Sequence, residues 1–398
     1  MSDASRVLLG LGGCVDYELK LTAGVLEELV ASYGIGFAEL GSAGPVASER
    51  DLVVSILGYV ARGGGGEHYV ASAPALESFA DRFPHRQTLG GTSVRAGILM
   101  DRLGIPSTWH LVSVNDTVRR LAPASTAYFS SSSEDTTYPH LIVQYDKGLR
   151  VAVGDVVIEA PFPNRLIYVN DPANDTMVLD STLGERLGQA EVFLISGFNA
   201  MRDKELLDRR LAELREHMRQ LPSSAVTYFE DAAYHEPSFS GRVREALLDR
   251  IDIYGLNEDE LQSYLDRSVD LLSVRETVAA LADVRTLIPA PTLVLHTKYW
   301  ALAVGDEASA YASALDMGTV MAATRYVHGD AFTESDVAAL RTRPRRRSAV
   351  EFAAALEARL GASVRCIPGF SLDVANPTTV GLGDTFVGGF LSALAKDA

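Results

Sequence analysis

Cysteine is nearly absent. Cys14 and Cys366 are the two in 398 residues, too few for a disulfide framework or a zinc site built on cysteines. That scarcity suits a reducing, cytoplasmic setting, which is the expectation for this chain. Long apolar runs are missing too: no window holds about 18 uninterrupted apolar residues, so no membrane-spanning helix is expected. Met1 to Arg6 has no basic start leading into an apolar stretch, so no secretory leader is expected. Positive charge is in deficit. Lys and Arg number 36 against 52 Asp and Glu, and the resulting −16 argues against nucleic acid or an anionic membrane as partner. Several catalytic signatures are also lacking. There is no G-x-x-x-x-G-K-[ST] loop, and Gly10-Leu11-Gly12-Gly13 is not G-x-G-x-x-G because Val15 stands where the third glycine belongs. The eight histidines show no H-E-x-x-H spacing, and Ser196-Gly197 is no nucleophile elbow.

What is present is ordinary globular chemistry: 47% hydrophobic and 22% charged residues exclude a disordered chain. At about 150 residues per domain the length allows two to three domains, or one large α/β domain with an appendage. Val7-Leu8-Leu9, Val192–Ile195, Ala225–Phe229, Ile251–Tyr254 and Leu293–Leu295 are short buried-strand runs, each ending in a polar or glycine-rich segment. Helical periodicity lies between them. Leu207, Leu211, Leu214, Met218 and Leu221, spaced 4, 3, 4 and 3, fall on one stripe. Such alternation predicts a mainly parallel sheet covered on both faces, with ligands beyond the carboxyl ends of its strands. Two stretches break the rhythm. A serine run (Ser130 to Ser133) precedes extended segments at His140–Tyr145 and Val151–Ile158, which read as antiparallel strands of a second, smaller sheet. Gly63 to Gly66 reads as a turn or hinge. The basic run Arg341 to Arg347 reads as a solvated loop, with an anion contact as the sharper alternative.

The segment richest in chemistry is Asn376-Pro377-Thr378-Thr379-Val380-Gly381-Leu382-Gly383-Asp384-Thr385, followed by a helix of small and apolar residues. Glycines at a helix start let backbone N–H groups converge, and the helix N-terminus adds positive potential suited to a transferring phosphoryl group. Asp384 beside that cradle can take a proton from an attacking hydroxyl. The plainer alternative makes Asp384 a helix cap and the glycines a turn.

Here the chain resembles the ribokinase-like superfamily, and within it the ADP-dependent glucokinase and phosphofructokinase group. Val380-Gly381-Leu382-Gly383-Asp384 looks like the GxGD signature, and Asn257-Glu258-Asp259-Glu260 resembles that group's NxxE motif. Asn170-Asp171-Pro172, Leu194–Phe198, His296-Thr297, Gly90-Gly91 and His140-Leu141-Ile142 resemble further segments in the same order. The resemblance implies a three-layer αβα domain with a small β-rich lid. The large domain is placed at 1–15, 88–127 and 165–398, and the lid at part of 16–87 and at 128–164.

It also implies phosphoryl transfer, with Mg²⁺, from ADP to a hexose hydroxyl and release of AMP. Asp384 is then the base and Gly381 and Gly383 the anion cradle. Asn257, His296, Thr297 and Gly381-Leu382-Gly383 meet the nucleotide. Glu230 and Glu260 handle Mg²⁺, directly or through water. Asp16, Glu67, Gly91 and His140 meet the sugar. Asn257 and Glu260 also fit a helix cap with its capping-box partner, Glu67 a solvated loop acid, and His140 a strand histidine. Three positions depart from the group's pattern. Cys14 stands in place of an Asn, Thr92 in place of a Gln, and Tyr228 in place of the His of an HxE motif ending at Glu230; His235-Glu236 has the wrong spacing for that motif. Glu67 puts glucose ahead of fructose 6-phosphate. An ATP-dependent sugar or nucleoside kinase, or a ligand-binding relative without turnover, are the alternatives. The partners implied are a small sugar and a nucleotide.

Overall fold

The short apolar runs become the centre of a nine-stranded sheet in a computed structural model that describes residues 6–41, 45–132, 138–374 and 377–397. Met1 to Ser5, Ser133 and Asn376, used in the readings above, lie outside the described residues. Across the sheet the strands run Val364–Pro368, Trp300–Gly305, Thr292–His296, Ile253–Asn257, Val226–Glu230, Val192–Ile195, Val7–Leu9, Thr108–His110, Ala127–Phe129. From Thr292–His296 to Ala127–Phe129 every pairing is parallel; only the two strands beyond Thr292–His296 pair antiparallel.

Alternation along each strand builds the layers. Leu8, Phe193, Ile195, Phe229 and Tyr254 join one buried cluster with the apolar stripes of the helices Lys204–Met218, Phe239–Leu247 and Val274–Leu287. Val7, Leu9, Val192, Leu194 and Tyr228 point the other way, against Val94, Met100, Phe386 and Phe390 of the helices Thr92–Arg102 and Leu382–Asp397. Each leucine fully buried here contributes about 1.5–3 kcal/mol. The result is the expected three-layer αβα arrangement with a mainly parallel sheet. The stripe read at 207–218 is buried as expected, and the helix stops at Met218, before Leu221. The helix Leu382–Asp397 packs between Thr92–Arg102 and Ala312–His328. A side chain at Gly388 or Gly389 would stand about 3 Å from Ala96 or from Gly318, so the small residues set how closely these helices approach.

A second sheet of five strands runs Gly66–Tyr69, Asn164–Val169, His140–Tyr145, Cys14–Lys20, His85–Gly90. It is mixed rather than antiparallel: two of its four pairings are parallel. It is also less purely β than expected. The helices Ala23–Tyr33, Glu49–Arg62 and Ala73–Ala80 bury Leu26, Leu29, Leu52, Leu57, Leu76 and Phe79 against one of its faces. Val151 and Ile158 pair with each other in a separate two-stranded ladder, Arg150–Val153 with Val156–Glu159. Strand membership also shifts the expected seams. Ala127–Phe129 pairs in the large sheet, while His85–Gly90 and Asn164–Val169 pair in the small one. Gly63 ends the helix Glu49–Arg62 in a left-handed cap, which is where the glycine run makes its turn.

The chain passes between the sheets four times: between Leu9 and Cys14, Gly90 and Thr92, Phe129 and His140, and Val169 and Pro172. Among the described residues no helix is long and apolar enough to cross a membrane. Arg341 and Arg345 share Asp316, and Arg347 pairs with Glu351, so three of the five arginines of the basic run are held by acids of this chain.

Candidate active site

Beyond the carboxyl ends of the large sheet's strands, where it meets the small sheet, lies a cleft of about 250 Å³. Asp16, Glu67, Gly91, His140, Glu230, Gly381 and Asp384 all line it, so the structure gathers the four sugar candidates, the candidate base and one metal candidate in one place. Asp16 and His140 meet because the strands Cys14–Lys20 and His140–Tyr145 pair in parallel with these two residues in register.

Gly381 takes φ +69, a left-handed turn that admits glycine readily, and the helix Leu382–Asp397 starts immediately after it. Asp384 is therefore in the first turn of that helix. Thr92 donates to its Oδ1 at 2.8 Å, and Arg95 Nε lies 3.7 Å from its Oδ2. Arg325 Nε donates to the Val380 carbonyl and holds the loop before the glycine. Gly383 starts the helix against His296, whose Cε1 would lie 3.3 Å from an added side chain.

Arg95 was not anticipated. It is buried and donates to Asp16 Oδ2 at 2.6 Å, with Glu18 Oε1 at 3.6 Å. It thus stands between the acid expected at the sugar and the acid expected as base. Burial would lower its affinity for a proton, but the charges of Asp16 and Asp384 raise it further, so the guanidinium is permanently charged. The available signal was a lone arginine inside the apolar face Val94, Ile98, Leu99 of its helix.

Tyr228 stands where a histidine was expected, and the hydroxyl donates to Glu230 Oε2 at 3.1 Å. An imidazole reaches Glu230 from elsewhere: His296 Nε2 lies 2.8 Å from Oε1. His296 is buried, and its ring stacks on Phe386. Burial lowers its proton affinity, yet the charge and hydrogen bond of Glu230 hold it above the ordinary histidine value. His296 therefore serves Glu230, and Thr297 closes a tight turn onto Trp300.

Asn257 and Glu260 form the capping box in full. Asn257 Oδ1 accepts from the Asp259 and Glu260 N–H groups, and Glu260 Oε2 accepts from the Asn257 N–H at 2.6 Å. Glu260 is not in the cleft lining but lies close enough to Glu230 and Asp231 to feel their charge. Burial pushes its carboxyl up to about 8; the Asn257 N–H opposes this, and the two neighbouring acids add to it. The oxygens of Glu230 and Glu260 are the donor type a hard cation such as Mg²⁺ takes, but among the described residues they do not close with Asp231 into one cluster of ligand atoms.

On the small-sheet side, Glu67 Oε1 lies 3.2 Å from His235 Nε2. Surrounding protein would raise Glu67, but the His235 hydrogen bond and the His140 charge hold it below the usual carboxylate range. His140 Nε2 lies 3.1 Å from Asp171 Oδ2. Burial works against the His140 proton, but Cys14 and Asp171 hold it well above the ordinary value. His235, Arg165, Asn174 and Asn199 also line the cleft, and none of them carried a role in the sequence reading. His235 lies five residues past the end of the strand Val226–Glu230, next to the acid Glu236, which was its signal.

A family model described as the ADP-specific phosphofructokinase/glucokinase conserved region matches residues 5–392. A probable ADP-dependent glucokinase of Caenorhabditis elegans is 25% identical over 229 residues, which are 53% of this chain and 43% of that protein. The match thus spans less than half the length of this curated relative. A hypothetical ADP-dependent phosphofructokinase from Pyrococcus horikoshii superposes with a TM-score of 0.80 at 17% identity, covering 100% of this chain and 99% of the other. An ADP-dependent kinase in complex with fructose-6-phosphate and ADPβS superposes at 0.70 and 14% identity, over 99% and 95%. The adenosine kinase of Sinorhizobium meliloti, at 0.53 and 13% over 99% and 88%, shares the fold in outline. The Asp384 turn, the nine-stranded sheet and the near-complete family match converge: the chain belongs to the ADP-specific phosphofructokinase/glucokinase family and has a ribokinase-like fold.

Proposed function

We propose that this protein transfers the terminal phosphoryl group of ADP to a sugar hydroxyl and releases AMP, within cytoplasmic sugar breakdown. The observation that carries this reading is the joining of Asp384, Arg95 and Asp16 across one cleft, with Asp384 in the first turn of a helix. Asp16 accepts hydrogen bonds from the sugar. Asp384 takes the hydroxyl proton as the new oxygen–phosphorus bond forms and the bond to the AMP oxygen breaks. The Thr92 hydroxyl holds one Asp384 oxygen in place, leaving the other for substrate. Backbone N–H groups at Gly381, Leu382 and Gly383 face the transferring group with the positive end of the helix. Glu230 and Glu260 would hold Mg²⁺, directly or through its waters, and the ion would neutralise phosphate charge.

Glucose is the preferred acceptor, because Glu67 is fixed by His235 at the cleft wall as an acceptor for sugar hydroxyls. Fructose 6-phosphate ranks second, favoured by Arg165 in the cleft. The test is direct. Purified protein with Mg²⁺ is given ADP or ATP and a panel of sugars. AMP formed from ADP with glucose supports the reading. ADP formed from ATP alone supports an ATP-dependent sugar or nucleoside kinase, and binding without turnover supports a ligand-binding relative.

A further inference from the structure

Cys14, Asp16 and His140 meet at the sugar end of the cleft, and nothing in phosphoryl transfer needs a thiol there. One ligand atom from each lies within 4.8 Å of the other two. Their placement is imposed by strand pairing. Asp16 is opposite His140 across a parallel pair, and Cys14 is two residues before Asp16 on the same face. Gly90, opposite Cys14, keeps the space clear, since a side chain there would fall 2.4 to 2.6 Å from both Asp16 oxygens and the Cys14 sulfur.

We propose that these three side chains form a binding site for Zn²⁺, and that the ion occupies the sugar pocket and shuts the enzyme off. Sulfur, imidazole nitrogen and carboxylate oxygen are the donor types zinc prefers, and three protein ligands with an open fourth position match its non-structural sites. The individual atoms are suitably disposed. Arg95 takes Asp16 Oδ2, while Oδ1 is the oxygen that faces Cys14, at 3.2 Å from the sulfur. His140 Nε2 is held by Asp171 Oδ2, the carboxylate–histidine arrangement that orients a metal-binding ring and leaves its other nitrogen for the ion. Asn174 donates to the same Asp171 oxygen at 2.6 Å and fixes it. Cys14 and His140 are half-buried and open to the cleft, so the fourth position faces the space where a sugar would lie.

On binding, sulfur–zinc and nitrogen–zinc bonds form, and the Cys14 proton and the His140 Nδ1 proton leave to water. Burial, with Asp16 second, pushes the free thiol up to about 12, so the apo site resists oxidants that attack thiolates.

Zinc binding does not depend on the kinase reading, whereas the inhibition does. Zn²⁺ alone is titrated into the full chain against a chromophoric chelator, and Co²⁺ is used as a spectroscopic probe. The expected result is one Zn²⁺ per chain, with a thiolate-to-cobalt charge-transfer band. Cys14→Ser should abolish the band and weaken Zn²⁺ at least about a hundredfold. Asp171→Asn should weaken it about 10–100-fold. Cys366→Ser, at a buried residue on the far strand Val364–Pro368, should change neither. Glucose and Zn²⁺ should compete. Equal Zn²⁺ affinity in Cys14→Ser, or no charge-transfer band in the wild type, overturns the site; the band decides alone if Cys14→Ser does not fold. Turnover with no zinc binding defeats this inference only, and zinc binding without turnover defeats the kinase reading only.

Discussion

The two ends of the cleft are built differently. At the phosphoryl end each functional group is fixed by a partner from the large sheet and its helices: Asp384 by Thr92, Glu230 by His296 and Tyr228, Glu260 by Asn257. At the sugar end each small-sheet group is paired across the cleft. Asp16 binds Arg95, Glu67 binds His235, and His140 binds Asp171. The first end is preorganised by one body, as charge stabilisation in the proposed phosphoryl transfer would require. The second depends on how the two bodies meet.

The sharpest test of that contrast is Asp384→Asn. Turnover should fall about a thousandfold or more, with nucleotide affinity within a few fold and an unchanged melting temperature, since Thr92 can still bond an amide oxygen. A large loss of stability would instead make Asp384 a structural cap. Arg95→Met comes next. It leaves Asp16 buried and unpaired, so denaturant unfolding should show a loss of about 3–4 kcal/mol, and the sugar KM should rise far more than the nucleotide KM. Equal rises in both would erase the distinction between the ends.

Two histidines, one in each sheet, sharpen it through pH. Burial holds His110, in the large sheet, down to about 4, and its Nε2 accepts the Asp180 N–H. Between about pH 6.5 and 4 the unfolded chain takes a proton there that the native chain refuses, so stability falls as pH falls through that window. The loss should reach roughly 3 kcal/mol by pH 4 and shrink in His110→Gln. His140, in the small sheet, is shifted the opposite way, so its pairing is complete in acid and is lost as pH rises through its raised value. Denaturant melts of His110→Gln and His140→Gln across pH, each against the wild type, would show opposite trends; parallel trends would break the comparison. The smallest effect is expected for His235→Ala. Its partner Glu67 is about a third exposed, so solvent screens the pair, and the variant should lose under about 1 kcal/mol while the sugar KM rises a few fold in steady-state assays.

Much of the phosphoryl end was legible because its signals are local. Glycines before an acid at a helix start, and Asn257 three residues before Glu260, are readable along the chain, and the second pattern was a capping box as well as a metal candidate. Asp16, Glu67 and His140 were legible only through resemblance. Arg95 and His235 were missed because their roles exist only across the cleft, between residues 79 apart (Arg95 and Asp16) or more. The His296 contact with Glu230 was missed for the same reason, since it compensates at a distance for Tyr228. In the fold, the parallel sheet followed from strand–helix alternation. The small sheet was under-read because its three helices sit in the same 16–87 stretch that was treated as part of a β lid.

The four passages between the sheets have a consequence for biosynthesis. The small sheet has all its strands once residue 169 has left the ribosome, whereas the large one waits for Val364–Pro368. Asp384 is translated later still, so a nascent chain can shape the small-sheet wall of the cleft before the proposed base has been made.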